Sequence, residues 1–228
     1  MSSDSSPRKR PDDYFSDWKE REALAEGMIP LVGKLYRGSV KTYIFGQNLV
    51  NLSVLDIMRA HRAVRQVQDN ELSEFETFPV IKALADLELG IAHIDAGRIA
   101  VMYEEGPKAE GISVEEFVRS QVSDLINGHS PEPAPQDVVL YGFGRIGRLM
   151  ARLLIEKTGG GGNLRLKAIV VRKGGAKNDL VKRASLLRRD SVHGPFNGTI
   201  RVDEERGSFV ANGNEIKVIY ANVPEEVD

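Results

Sequence analysis

The glycine spacing within residues 137–148 is the feature of this chain that indicates a chemical function most directly. A short apolar run at 138–141 leads into Gly142-x-Gly144-x-x-Gly147, and a helix-forming run follows at 148–155. In a dinucleotide-binding turn, the first glycine permits the sharp bend, the second lets a pyrophosphate approach the main chain, and the third lets helix and strand pack closely. The free N–H groups at the helix start then hold the phosphate charge. A second apolar strand at 164–171 favours this interpretation over a chance glycine turn.

The elements around this turn predict an α/β fold. A strand at 138–141, a helix at 145–157 and a strand at 164–171 form a β-α-β unit, and a helix follows at 180–188. Runs at 199–202 and 208–211 predict a hairpin, and Asn212-Gly213 signals a second tight turn. The run at 215–220 either closes the hairpin sheet or joins the parallel sheet. We therefore expect a partial Rossmann-type dinucleotide-binding domain, with about three parallel strands plus a hairpin.

A small, mostly helical domain is expected in front of it. Residues 1–12 have the composition of a disordered polar tail, in which the basic trio 8–10 is solvated rather than a nucleic-acid or membrane patch. Residues 13–128 form the helical N-terminal extension, and the proline-rich run 129–136 is a linker. Residues 137–228 are then a truncated NAD(P)-binding domain.

Spacing within the helical part predicts individual elements. Apolar residues from Trp18 to Leu35 recur at helical spacing, interrupted by Gly27 and Pro30. Further helices are expected from Ser53, from about Thr77 with Pro79 in the first turn and Gly90 just past the end, and from the capping box at Ser113. Short extended pieces are expected at 40–45 and 99–103.

Composition excludes several classes of protein. The 228 residues carry a net charge of −2, so the chain as a whole has no electrostatic signature of nucleic-acid binding. No apolar run approaches the ~20 residues of a spanning helix, and the polar N-terminus lacks the apolar core of a secretory signal. We expect a cytoplasmic protein without membrane attachment. The chain contains no cysteine, which excludes disulfides, thiolate metal sites and a cysteine nucleophile within these residues.

Four segments, in this order, closely resemble the start of the NAD-binding domain of glyceraldehyde-3-phosphate dehydrogenase. They are Tyr-Gly-Phe-Gly-Arg-Ile-Gly-Arg at 141–148, Arg-Asp-Ser-Val-His-Gly at 189–194, Phe-Asn-Gly-Thr at 196–199 and Asn-Gly-Asn at 212–214. The resemblance covers about 137–224. The front half, with Met-Ile-Pro-Leu-Val-Gly-Lys-Leu-Tyr at 28–36, is similar to the N-terminal extension of long bacterial members of that family.

The resemblance implies a glycolytic enzyme that oxidises and phosphorylates an aldehyde, with NAD or NADP as hydride acceptor. The family's cysteine nucleophile, in a Ser-Cys-Thr-Thr-Asn segment, would come after residue 228, and so would its histidine base. The chain therefore resembles the front piece of a longer protein, lacks catalytic residues of its own and is expected to be inactive alone. A homo-oligomer is implied for the full-length protein. The alternative is a non-enzymatic nucleotide-binding or protein-interaction module.

Transferred position by position, the cofactor contacts would be made by a run of six residues: Gly142, Phe143, Gly144, Arg145, Ile146 and Gly147. Arg148 is interpreted as a solvated helix residue. At the end of the second strand, where NAD binders usually place an acid for the adenosine ribose, the chain has Arg172-Lys173. This pair favours NADP use or relaxed choice, the alternative being a solvated basic loop. Asn222 aligns with a position near the adenine, and Asp179 is expected to cap the next helix.

Other residues that could do chemistry receive plainer interpretations. The Asp190-Ser191-x-His193 block suggests a hydrolase triad, but the resemblance makes it a structural corner. His61 is expected on a helix facing the core or a domain surface, with His93 and His129 in polar loops. No histidine pair has ligand spacing, so no metal site is predicted. The basic residues at 182–183 and 188–189 indicate a surface helix beside a subunit contact rather than a polyanion site.

Overall fold

The computed structural model describes residues 13–64, 72–128, 134–158, 164–174, 178–223 and 226. The chain divides into two compact units, Met1–Glu132 and Pro133–Asp228. Each unit has its own hydrophobic cluster of buried residues. The tail at 1–12, His129 and most of the expected linker lie outside the described residues.

The N-terminal unit combines helices with a small sheet. Its elements in chain order are α1 (Tyr14–Arg37), β1 (Val40–Ile44), β2 (Gln47–Asn48), α2 (Val54–Ala63), α3 (Glu74–Ala85), β3 (Ala92–Asp95), α4 (Ala96–Glu104) and α5 (Val114–Gln121). The strand order is β2-β1-β3, with β1 antiparallel to β2 and parallel to β3. Fully buried side chains such as Met28, Ile57 and Leu84 form the centre of this unit.

Serine side chains cap three of these helices. Ser53 and Ser113 accept hydrogen bonds from the backbone N–H groups of Asp56 and Glu116, as the sequence predicted. Ser73 forms a complete capping box with Glu76. The third helix therefore begins at Glu74, earlier than the expected start near Thr77, and it ends at Ala85, well before Gly90.

Helix α1 runs unbroken through Gly27 and Pro30, where we expected an interruption. Packing explains the glycine, because a Cβ at Gly27 would lie 2.9 Å from the ring of Phe78 on α3. Burial of Met28, Val32 and Leu35 along the same helix outweighs the lost backbone hydrogen bond at the proline.

Two short segments differ from their expected structure. Residues 99–103, expected to be extended, belong to α4, which Asp95 caps by accepting from the Arg98 N–H at 3.1 Å. The sequence did not predict β3, and His93 lies in that strand rather than in a polar loop. Tertiary pairing with β1 decides the conformation of this segment, because a four-residue strand carries too little periodicity of its own.

A polar network lies inside this unit around His61, which is fully buried and faces the core. Its Nδ1 donates to the Ile57 carbonyl at 2.7 Å, and its Nε2 lies 2.7 Å from the Thr77 hydroxyl. The Glu74 carboxylate accepts from the Arg21 guanidinium at 2.6 Å. Its other oxygen lies 3.4 Å from His61 Nδ1 but receives no hydrogen bond, since that proton is directed to Ile57. Burial lowers the pKa of His61, although the nearby Glu74 charge opposes the shift.

The C-terminal unit is an α/β domain built as predicted. Its elements are β4 (Gln136–Tyr141), α6 (Arg145–Thr158), β5 (Leu164–Val171), α7 (Asp179–Arg188), β6 (Arg189–Asp190), β7 (Gly194–Pro195), β8 (Ile200–Asp203), β9 (Ser208–Ala211) and β10 (Asn214–Tyr220). Five strands form one sheet in the order β4-β5-β10-β9-β8.

The last strand resolves the alternative left open by the sequence, because β10 takes both roles. It pairs parallel to β5, with Val218 opposite Ile169, and antiparallel to β9, with Ile216 opposite Phe209. The three parallel strands β4, β5 and β10 therefore end at one edge of the sheet. This edge holds the candidate site.

Candidate dinucleotide-binding site

The glycine turn joins β4 to α6 at the carboxyl edge of the parallel strands. Gly142 has φ = 97°, a left-handed conformation that side-chain-bearing residues rarely adopt. Its N–H donates to the Val170 carbonyl at 2.8 Å, which extends the pairing of β4 with β5 by one residue. The chain therefore turns sharply at the residue for which the sequence required a glycine.

Gly147 permits the close approach of helix and strand. A Cβ at this position would lie 2.3 Å from the Gly142 carbonyl oxygen, closer than any real contact. The first turn of α6 forms over this contact, with the Arg148 N–H donating to the Gly144 carbonyl at 3.0 Å. The helix N-terminus thus faces the turn, as in dinucleotide-binding domains.

Gly144 stands open to solvent. A Cβ there would meet nothing within 4 Å, so the protein's own packing does not require a glycine. Arg145 and Ile146 are also exposed, Ile146 to 74%. The Phe143 side chain is buried instead, and its ring centroid lies 6.1 Å from that of Phe209. Only the main chain of Phe143 is thus available to a cofactor.

Contacts between strand ends bring Asn222 to the same edge. The Tyr141 hydroxyl, at the end of β4, donates to the Asn222 carbonyl at 3.0 Å, and the Ala221 N–H donates to the Val171 carbonyl at 3.1 Å. Arg172 follows β5 directly and is exposed. The structure therefore places the glycine turn, Arg172 and Asn222 on one side of one sheet.

We expected Asp179 to cap α7, but it is the first helical residue, and the N-cap is Asn178. Its carboxylate pairs with Arg183 one turn along the helix, at 2.7 Å. Arg183 also donates to the Arg172 carbonyl at 2.9 Å. Burial first, and the nearby Asp179 carboxylate second, raise the pKa of the Tyr220 hydroxyl at the end of β10. Sequence reasoning named Asp179 as a helix cap and Arg183 as a basic surface residue but missed their meeting near Tyr220, which only the folded chain brings about.

The Asp190 block forms a corner after α7. One Asp190 oxygen accepts from the backbone N–H groups of Val192 and His193, at 3.0 and 2.9 Å. These bonds, with the His193 ring at 3.1 Å, hold the pKa of Asp190 well below its usual range. The carboxylate thus organises its own loop, in keeping with a structural corner. Arg152, buried on α6, donates to the carbonyls of Leu187 and Gly194 and ties the corner to the helix.

No three His, Asp or Glu side chains in the described ranges converge as metal ligands. Within those same ranges, no helix has both the length and the apolar character needed to cross a bilayer.

A glycine turn between a parallel strand and a helix, at the carboxyl edge of a sheet, defines the C-terminal unit as a Rossmann-type dinucleotide-binding domain. Residues 136–228 match the family model for "Glyceraldehyde 3-phosphate dehydrogenase, NAD binding domain". Over these residues the chain is similar to the NAD-binding domain of glyceraldehyde-3-phosphate dehydrogenases, which confirms the resemblance noted from the sequence.

One relative extends this similarity to most of the chain. A "Glyceraldehyde-3-phosphate dehydrogenase-like protein" of Pseudomonas aeruginosa is 56% identical over 207 residues, which is 88% of this chain and 44% of the relative. Glyceraldehyde-3-phosphate dehydrogenases of Clostridium pasteurianum and Streptococcus pyogenes are 40% and 36% identical over 40% of this chain and 24% of their own length. The chain thus spans less than half of each of these relatives.

Proposed function

We propose that this chain is the N-terminal part of a phosphorylating glyceraldehyde-3-phosphate dehydrogenase and that its C-terminal unit binds the ADP portion of the cofactor. One observation carries the proposal: Gly142 makes the turn, Gly147 allows the helix to pack on it, and Gly144 is left without a structural reason to be glycine. A ligand that must approach the main chain closely supplies that reason.

The residues present fit a dinucleotide. The main chain of 142–147 and the N-terminus of α6 would hold the pyrophosphate, with the exposed Arg145 beside it. Ile146 would cover one side of the cofactor with its exposed side chain, and Asn222 would lie near the adenine. When bound, the nicotinamide ring accepts a hydride from the aldehyde carbon; the protein's task here is to bind and orient it.

We expect the chain by itself to be inactive. Oxidation through a thioester needs a thiolate nucleophile, and these 228 residues contain no cysteine. The longer relatives, of which the chain spans 44% and 24%, have the length to supply one. An assay of aldehyde-dependent cofactor reduction with this chain alone should read zero.

The cofactor is NAD or NADP. The family's domain is an NAD-binding one, and the exposed Arg172 and Lys173 add positive charge where a 2′-phosphate would lie. The proposed setting is glycolysis in the cytoplasm, as a homo-oligomer of the full-length protein, with neither nucleic acid nor membrane as partner.

Isothermal titration calorimetry with NAD tests the proposal, and backbone NMR shows where the ligand binds. We expect weak saturable binding that shifts the amide signals of residues 142–147. Shifts confined to other regions, or no binding at millimolar NAD, would overturn the dinucleotide-binding role.

A non-enzymatic interaction module is the second candidate, favoured by the start of α1. Tyr14, Phe15 and Trp18 expose between 45% and 65% of their surface there. Exposed aromatic residues are enriched at protein–protein interfaces. Specific capture of one protein by this chain, lost on Trp18→Ala and Phe15→Ala substitution, together with no nucleotide binding, would favour this function over the first.

A further inference from the structure

The chain departs from the usual NAD pattern at the end of β5, and a cluster of described side chains lies there. Arg183 Nε donates to Asp179 Oδ2 at 2.7 Å, and its Nη2 donates to the Arg172 carbonyl at 2.9 Å. The Asp179 and Arg183 side chains are 14% and 17% exposed. The guanidinium therefore ties the start of α7 to the residue that follows β5.

The position of the Asp179 carboxylate is set from several sides. A Cβ at Gly174 would lie 2.8 Å from Asp179 Oδ1, so the carboxylate lies directly against the backbone beyond the strand end. Tyr220, at the end of β10, lies near the same carboxylate, since burial first and Asp179 second raise the pKa of its hydroxyl. Asp179 is thus the acid that this fold presents at the ends of β5 and β10, although it is not the residue at the strand end.

The charge around this acid differs from that of an NAD-selective site. There, an acid accepts hydrogen bonds from the ribose hydroxyls and its charge disfavours a 2′-phosphate. In this chain Arg183 already neutralises Asp179. The exposed Arg172 and Lys173 lie on the adjoining backbone, so these four side chains comprise three cations and one carboxylate.

We infer that the Asp179–Arg183 ion pair is a specificity-determining element that allows this site to accept a 2′-phosphate as well as a free ribose. The inference rests on the proposed dinucleotide-binding function. Pairing keeps the acid from repelling the phosphate, while the carboxylate remains at the edge where ribose hydroxyls would lie. Asp179 and Arg183 act here by setting charge and position, and neither has a role in hydride transfer.

The test compares the dissociation constants of ADP-ribose and its 2′-phosphate for the full chain, measured by calorimetry. Arg183→Gln frees the Asp179 charge, and we expect the preference to shift at least about fivefold toward ADP-ribose, the effect of one unit charge across a few ångströms of water. Asp179→Asn should shift it by a similar factor toward the 2′-phosphate. Raising the salt concentration should reduce both shifts.

A matched control is the ion pair at the opposite end of β5. Arg165 and Asp137 form an ion pair of the same type at 2.7 Å, and both are exposed. Arg165→Gln and Asp137→Asn should leave the ratio unchanged. Arg183→Lys retains the charge, so the ratio of the two dissociation constants should stay that of the unsubstituted chain even if the binding of both ligands weakens.

The outcomes separate the two proposals. If Arg183→Gln and Asp179→Asn weaken the binding of both ligands equally, the ratio of the two dissociation constants stays constant. The pair would then be only structural, which would overturn the inference and leave the dinucleotide site standing. Absence of ADP-ribose binding to the unsubstituted chain would overturn both. If circular dichroism shows Arg183→Gln unfolded, the Asp179→Asn ratio alone decides.

Discussion

The backbone carbonyl of Gly142 lies against the Cα of Gly147, so that a Cβ on Gly147 would come within 2.3 Å of its oxygen. Gly144, between them in the sequence, has no neighbour within 4 Å of its own Cβ position. Two glycines of one motif therefore serve the fold, and the third is explained only by a ligand. This division can be tested with single methyl groups.

Gly147→Ala should destabilise the C-terminal unit, because the added methyl must displace the Gly142 carbonyl or push α6 away from β4. The expected loss is about 1–3 kcal/mol of unfolding free energy, as for other overpacked sites. Urea denaturation followed by circular dichroism measures it. Gly106→Ala serves as control, since its Cβ position is open and it lies in the other unit. Unchanged stability of Gly147→Ala would contradict the observed packing.

Gly144→Ala should leave stability within about 0.5 kcal/mol of the unsubstituted chain, as for surface changes without special contacts. Binding of ADP or NAD should nevertheless fall, because the methyl group occupies the path of the pyrophosphate to the main chain. Calorimetry and the 142–147 amide shifts provide the measurement. Unimpaired nucleotide binding would exclude this position from the site.

Stability of the N-terminal unit should decline as the pH falls below about 6.5, the ordinary pKa of histidine. Burial holds the pKa of His61 below that value in the folded state, so the unfolded state binds the proton first. Protonation then favours unfolding, by at most about 1.4 kcal/mol per pH unit for one group. Denaturation between pH 8 and 5 measures the slope, and His61→Gln should remove this contribution. An equal slope in the variant would assign the pH dependence to other groups.

The free edge of β4 should make the isolated segment 137–228 prone to aggregation. Val139 and Tyr141 expose 50% and 52% of their surface on this strand, and its outer side has no partner among the described strands. Val139→Lys should reduce light scattering during refolding, because charge on an edge disfavours strand pairing. Val192→Lys, at a still more exposed loop residue off the edge, should not. Equal benefit from both substitutions would point to net charge rather than the edge.

Prediction from the sequence succeeded where the local signal was strong. The strand before Gly142, the helix after it and the hairpin around 199–211 are as expected, since periodicity and turn residues act over a few positions. It was wrong where packing overrides local preference, as at Pro30 in α1 and at 99–103 in α4. The proposed contacts at 142–147, Arg172 and Asn222 remain predictions until a ligand is bound.

Sequence by itself determined the glycine spacing, and with it the kind of turn and the resemblance to the family, because backbone freedom belongs to each residue and needs no neighbours. Tertiary structure alone decided that the Phe143 ring is buried against Phe209 and that the Asp179–Arg183 ion pair lies near Tyr220. Phe143 and Phe209, and likewise Asp179 and Tyr220, are more than forty residues apart in the sequence, and the pairing of β10 with β5 and β9 brings them together. Residue spacing in the sequence does not predict that pairing, so the charge balance beside the candidate cofactor site can be described only from the folded protein.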